Sequence, residues 1–249
     1  MIRILTLLLF TCKVAFGIIS IVPTEVKEDP GLNGQAGLSL STKRGNSDVD
    51  SYKGAIRLTY DNNESYVTWI QLSGEYGEAN GVKNVQKIYL HYRYIHNITD
   101  IYNVWEGFLQ SQEDEFKLIQ KRRLVGADYR GRFLKDYSPL KFFLGVGGFY
   151  EYITYTTSQD PTENNTRLNT YIALTYPFKD TLNFAITSYY QPKFDDFEDF
   201  VTANKLELKI KIVEKLFLTF RISYDYDSKP AIGVNKTDFS QDTIFLYKF

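Results

Sequence analysis

One cysteine, one methionine and two histidines are all that the 249 residues contain of these types. The cysteine, Cys12, lies in the amino-terminal apolar stretch, so the remainder has no disulfide framework, thiol nucleophile or cysteine-based metal site. The histidines, His91 and His96, have no second His or Cys at ligand spacing and make a poor metal signature. Strong charge of one sign is also missing: 29 basic against 30 acidic residues leave a net charge of −1, which argues against a dedicated nucleic-acid binder. No apolar run approaches the about 20 residues that a transmembrane helix needs, which excludes a helical membrane bundle.

What is present begins with an export signal. Met1–Gly17 has a basic start at Arg3, an apolar stretch from Ile4 to Phe10, and a small-x-small ending at Ala15-Phe16-Gly17. This layout predicts a cleaved secretory signal peptide, residues 1–17. An uncleaved anchor is disfavoured by the short stretch and by Lys13, and lipidation of Cys12 by the bulky Leu9-Phe10-Thr11 before it. Cleavage leaves 27 basic against 30 acidic residues, a charge of −3. Ile18–Gly31, with Pro23 and Pro30, is predicted to be a short periplasmic lead-in.

From Leu32 onward the pattern has period two. Leu206, Leu208, Ile210 and Ile212 alternate with Lys205, Glu207, Lys209 and Lys211. Leu216, Leu218, Phe220, Ile222 and Tyr224 alternate with Phe217, Thr219, Arg221, Ser223 and Asp225. Successive strand side chains face opposite ways, so each segment has one greasy and one polar side. Twelve strands are predicted: 32–43, 50–61, 65–77, 84–95, 101–112, 120–134, 141–155, 166–176, 181–192, 200–212, 216–226 and 237–249. These exceed the usual about 5–6 residues of soluble strands and match the roughly 9–11 that cross a bilayer at a tilt. Parity is least clean in 101–134, where Trp105, Glu106 and Arg122 to Tyr129 fit either register, so a bulge is expected there.

The connections alternate in length. Asp61–Glu64, His96–Asp100, Lys135–Leu140, Pro177–Asp180 and Val213–Lys215 are tight, whereas Arg44–Val49, Glu78–Lys83, Glu113–Ile119, Thr156–Asn165, Lys193–Asp199 and Asp227–Lys236 are mostly longer and polar. Short turns at one end and longer loops at the other predict an all-β, antiparallel, up-and-down transmembrane barrel over residues 32–249, with both termini on the short-turn side.

A soluble lipocalin-type barrel would show the same alternation with its apolar side inward. Three features favour the membrane form. Aromatics flank the tight turns (Tyr60 and Tyr66, Tyr94 and Tyr102, Phe133 and Phe142, Tyr176 and Phe178), and others (Tyr76, Tyr150, Tyr152, Tyr190 and Tyr226) gather near the longer loops. Charges occupy the opposite face at mid-strand, where a wet lumen would accommodate them. The chain ends in Thr243–Phe249, with Phe245, Tyr247 and Phe249 alternating, an ending similar to the signal by which outer-membrane barrels engage their insertion machinery.

Placing the charged face inward assigns Lys53, Arg57, Lys87, Arg93, Arg167, Lys205, Lys209, Lys211 and Arg221 to the lumen, with Glu75, Glu151, Glu207, Asp225 and the hydrogen-bonding His91. The cationic excess would favour anions, unless the charges pair across a narrow lumen and block it. His96 is expected in a solvated turn. Gly145-Val146-Gly147-Gly148 precedes no helix and so is no phosphate loop; close packing or a bulge is expected. Asp195-Asp196-Phe197-Glu198-Asp199 is either a solvated acidic loop or a contact for cations and lipopolysaccharide. No catalytic, cofactor or metal site emerges. A lipid hydrolase would need a serine or aspartate brought to His91, for which there is no local motif.

Several segments resemble the YdiY-like family of salt-induced outer-membrane proteins, whose domain is of unknown function. They are Leu38-Ser39-Leu40-Ser41-Thr42-Lys43-Arg44-Gly45-Asn46-Ser47-Asp48, then Gly77-Glu78-Ala79-Asn80-Gly81, and the acidic Glu113-Asp114-Glu115-Phe116 leading to Arg122, Arg123 and Gly126. The resemblance implies outer-membrane location and a link to osmotic or salt stress, with outer-membrane lipids and lipopolysaccharide as surroundings. It supplies no catalytic residues and no cofactor. The leading expectation is a non-enzymatic barrel, either a narrow channel for small solutes or a structural and surface-interaction protein. Oligomeric state is not legible.

Overall fold

The computed structural model describes residues 22–43, 49–79, 82–134, 139–179 and 181–249. The signal segment, its cleavage site and Cys12 lie outside the described residues. Twelve strands follow one another: β1 Gly31–Lys43, β2 Val49–Asp61, β3 Tyr66–Ala79, β4 Val82–Asp100, β5 Asn103–Asp114, β6 Ile119–Phe133, β7 Lys141–Tyr155, β8 Glu163–Phe178, β9 Leu182–Pro192, β10 Phe200–Val213, β11 Leu216–Asp227 and β12 Thr237–Lys248. Each pairs antiparallel with the next, and β12 returns to β1, so the sheet closes into a barrel without edges. The closing ladder runs from Gln35 opposite Lys248 to Ser39 opposite Ile244. Gly34 and Phe249 extend it with reciprocal backbone bonds of 2.8 and 2.9 Å.

The alternation resolves cleanly into two surfaces. Leu58, Ile70, Leu109, Val125, Ile172, Ile222 and Phe245 are exposed on the outside. Their polar neighbours, among them Gln71, Glu106, Asp128, Glu207, Arg221 and Asp242, are buried inside. This is a water-soluble protein turned inside out, and it removes the lipocalin-type arrangement. Outer aromatics form runs at both ends. Near the short turns Tyr60, Tyr66, Tyr94 and Trp105 succeed one another at centroid separations of 6.2, 5.4 and 5.5 Å. Near the longer loops Phe200 lies 5.5 Å from both Tyr190 and Tyr226.

Several boundaries differ from the sequence reading. β3 continues to Ala79 and β4 starts at Val82, so the expected loop 78–83 shrinks to little more than residues 80–81. The expected loop 113–119 is a tight 3-10 turn, Glu115–Lys117, in which Asp114 accepts from the Lys117 amide and Leu118 takes a left-handed φ of 55°. Among the described residues the length asymmetry is carried by 156–162, 193–199 and 228–236; all but the last residue of the expected loop 44–49 lies outside the described residues. β4 runs through the expected turn at 96–100, so His96 is not a solvated turn residue. It lies opposite Trp105 in the ladder, stacked at 6.0 Å. Within 101–134 the register holds apart from irregularities at strand ends, between Asn97 and Asp100, Gln112 and Asp114, and Ile119 and Lys121. These shift parity between strands, and the outcome is Trp105 outward and Glu106 inward.

Candidate functional site: the barrel interior

Ion pairs along the wall organise the interior. Lys53 on β2 sits between Asp242 on β12 (2.5 Å) and Glu75 on β3 (3.7 Å). Lys87 pairs with Asp114 across the β4–β5 ladder at 2.9 Å. Glu106 on β5 receives Arg93 from β4 and Arg130 from β6, at 2.8 and 2.9 Å. Glu151 on β7 takes Arg122 from β6 and Arg167 from β8, both at 2.6 Å, and Arg167 continues to Asp199. Arg221 and Glu207 face each other on β11 and β10 at 2.5 Å. Buried charges are tolerable only when paired and hydrogen-bonded, and adjacent strands supply most of the partners here.

Lys205 and Asp225 both line the central cavity. Lys209 has its ammonium 5.7 Å from the Phe217 ring centre, and Lys211 is half-buried opposite Phe217 at the short-turn end.

The cationic excess read from sequence is smaller than expected. Glu106, Asp114, Asp128, Asp199, Asp238 and Asp242 are also buried inside. The first three lie in the segment where parity was ambiguous, Asp199 lay in a predicted loop, and Asp238 and Asp242 were overshadowed by the aromatics that alternate at the end of β12. Most pairs join neighbouring strands and so do not cross the lumen. One does cross: Lys117, in the β5–β6 turn, reaches Asp238 on β12 at 2.6 Å, six strands around the barrel from β6.

Midway down, cations and rings interleave. The Arg57 guanidinium covers the Trp69 indole at 4.4 Å, and Arg93 stands 5.1 Å from the Phe108 ring centre. His91 packs 4.7 Å from Trp69, and its Nδ1 shares a 2.6 Å hydrogen bond with the Tyr89 hydroxyl. Opposite, the Tyr171 ring packs tilted against Tyr189, 4.9 Å between centroids, and its hydroxyl donates to Glu106 at 3.1 Å. Gly145 makes this reach possible, since a Cβ there would lie 2.0 Å from the Tyr171 ring. That close approach accounts for Gly145, and at Gly147 a Cβ would lie 2.1 Å from the Ala127 carbonyl oxygen.

Between these walls lies a cavity of about 300 Å³. Val22, Pro23 and Thr24 bound it at the short-turn end, and residues of the 228–236 loop bound it at the other. The acidic loop has much of its charge engaged within the chain: Asp199 is buried on Arg167 and Lys193, and Asp196 takes Lys229. Among the described residues no group of three or more His, Cys, Asp or Glu could hold a metal ion.

The family model for the protein of unknown function DUF481 matches residues 36–249. The chain belongs to the DUF481 family. Its resemblance to YdiY-like proteins is consistent with that membership. A comparison of the DUF481 barrel with curated proteins finds no match. Similar solved structures include the COG4313 outer membrane channel from Pseudomonas putida F1, at 11% identity over 95% of this chain and 100% of that one, with a TM-score of 0.56. The NanC porin aligns at 12% identity, 87% and 98% coverage and 0.53. The translocator domain of the autotransporter NalP from Neisseria meningitidis gives 12%, 89% and 90%, and 0.53. The shared feature is the fold of outer-membrane barrels.

Proposed function

We propose that this DUF481 barrel is a non-enzymatic outer-membrane channel of narrow bore that passes small polar solutes and prefers anions. The carrying observation is the arrangement of charge around the cavity. Eight basic residues line it, Arg57, Arg93, Arg130 and Lys205 among them, against five acidic ones, Glu151, Glu163, Asp225, Asp227 and Asp238. A permeating anion therefore meets a net excess of guanidinium and ammonium groups, and charged groups at close quarters bias permeation. The apolar exterior and the two runs of outer aromatics support a bilayer around the barrel. The outward Phe245, Tyr247 and Phe249 then serve as the insertion signal, and the resemblance to salt-induced proteins suggests a setting of osmotic stress.

The test is reversal potential in planar bilayers under a salt gradient. Steps with an anion-selective sign are expected. Silence at every voltage, from correctly folded protein, removes the channel.

A further inference from the structure

The interior changes character near the short turns. Val67 on β3, Ile95 on β4 and Val104 on β5 are at most 1% exposed and form an apolar socket inside the mouth. Such a patch in a wet lumen needs a cover. The chain supplies one: Val26 sits in the socket at 2% exposure.

Basic groups clasp the same segment. Arg132 donates to Glu25 at 2.9 Å, and Lys141 binds both Glu25 and Glu28. Arg130 donates to the Thr24 carbonyl at 2.8 Å. Gly31, at φ +89° with open space around it, marks the turn from the segment into β1. The ladder of twelve strands closes without residues 22–30, so the segment is not needed to complete the sheet.

We propose that residues 22–30 are a stopper seated in the barrel's inner mouth, and that its release controls passage. The proposal rests on the channel reading. One buried valine and a few charge-assisted bonds are set against the entropy of ordering nine residues, terms of similar size, so seating is reversible.

Two measurements test it. Val26→Cys, in a Cys12→Ser background, is labelled with a charged thiol reagent and compared with Ser158→Cys on an exposed loop. Labelling is expected to be slower by about 10-fold or more, and adding Glu25→Ala should bring it within about 2-fold of the reference, as local opening predicts. Equal rates without Glu25→Ala overturn the seating. In bilayers, Glu25→Ala and Val26→Asp, checked for folding by heat-modifiable mobility, should open several-fold more often than the native chain. Unchanged conductance with labelling that proves release overturns the stopper and leaves the channel standing. Silence from native and released forms alike overturns the channel, and the stopper with it.

Discussion

Arg57 lies flat over Trp69 while its Nε and Nη2 both donate to Gln71, at 3.1 and 2.7 Å. Two side chains of β3 thus hold one planar cation from β2 at the cavity wall. Lysine has neither the fork nor the stacking plane, so the position is specific to arginine. Arg57→Lys is expected to keep the sign of selectivity but to raise current noise. Arg57→Glu should shift the reversal potential toward cations. Unaltered selectivity in the glutamate variant would show that permeating ions do not pass this group.

Glu106 is a fully buried carboxylate held between Arg93 and Arg130 and capped by the Tyr171 hydroxyl. Glu106→Ala leaves two guanidinium groups facing each other without a counter-charge. Breaking a buried pair in this way costs about 3–5 kcal/mol. The denaturant midpoint of the folded barrel should fall accordingly. Replacing Lys27, which is exposed, should leave it within about 0.5 kcal/mol.

Leu72 faces outward at 50% exposure, with the exposed Ile56 and Leu90 as ladder partners. An arginine here near a bilayer midplane costs about 2–4 kcal/mol, whereas on a water-facing surface it costs little. Leu72→Arg should therefore lower stability in lipid vesicles by that amount. A change near zero would place water, not hydrocarbon, around the barrel.

Strand number, closure and facing were legible because period-two patterning is a property of neighbouring residues. Lys205 to Lys211 and Leu216 to Asp225 declared their faces without any knowledge of partners. Glu106 and Asp128 did not, because the bulges flanking β5 and β6 set their parity through pairing with β4 and β7. Asp242 is likewise defined by Lys53, 189 positions away. The seating of Val26 depends on a socket shared by three strands far from it in sequence, Val67, Ile95 and Val104, which the local pattern of residues 18–31 does not reveal. Local pattern carries the wall, and long-range pairing decides what fills it.

Lys229 donates to Asp196 at 2.6 Å and ties the 228–236 loop to the 193–199 loop at the longer-loop end of the barrel. The bond from Lys229, reinforced by the Glu198 amide, holds the Asp196 carboxyl below its ordinary value of 3.8, and the same bond raises Lys229 above 10.5. A depressed carboxylate contributes fully above its unfolded pKa and loses that contribution as pH falls through the folded value. A raised lysine contributes fully below its unfolded pKa and loses it as pH rises through the folded one. The tie is therefore complete from about pH 4 to about pH 10 and weakens outside that window. Because both groups are exposed, the effect belongs to the loops and leaves global stability nearly untouched. Amide exchange in 193–199 and 228–236 should accelerate between pH 5 and pH 3, after correction for intrinsic rates, by about 2- to 5-fold. Lys229→Ala should show the faster corrected exchange already at pH 5 and no further change on acidification. Identical profiles for the native chain and the variant would mean that the tie does not order these loops.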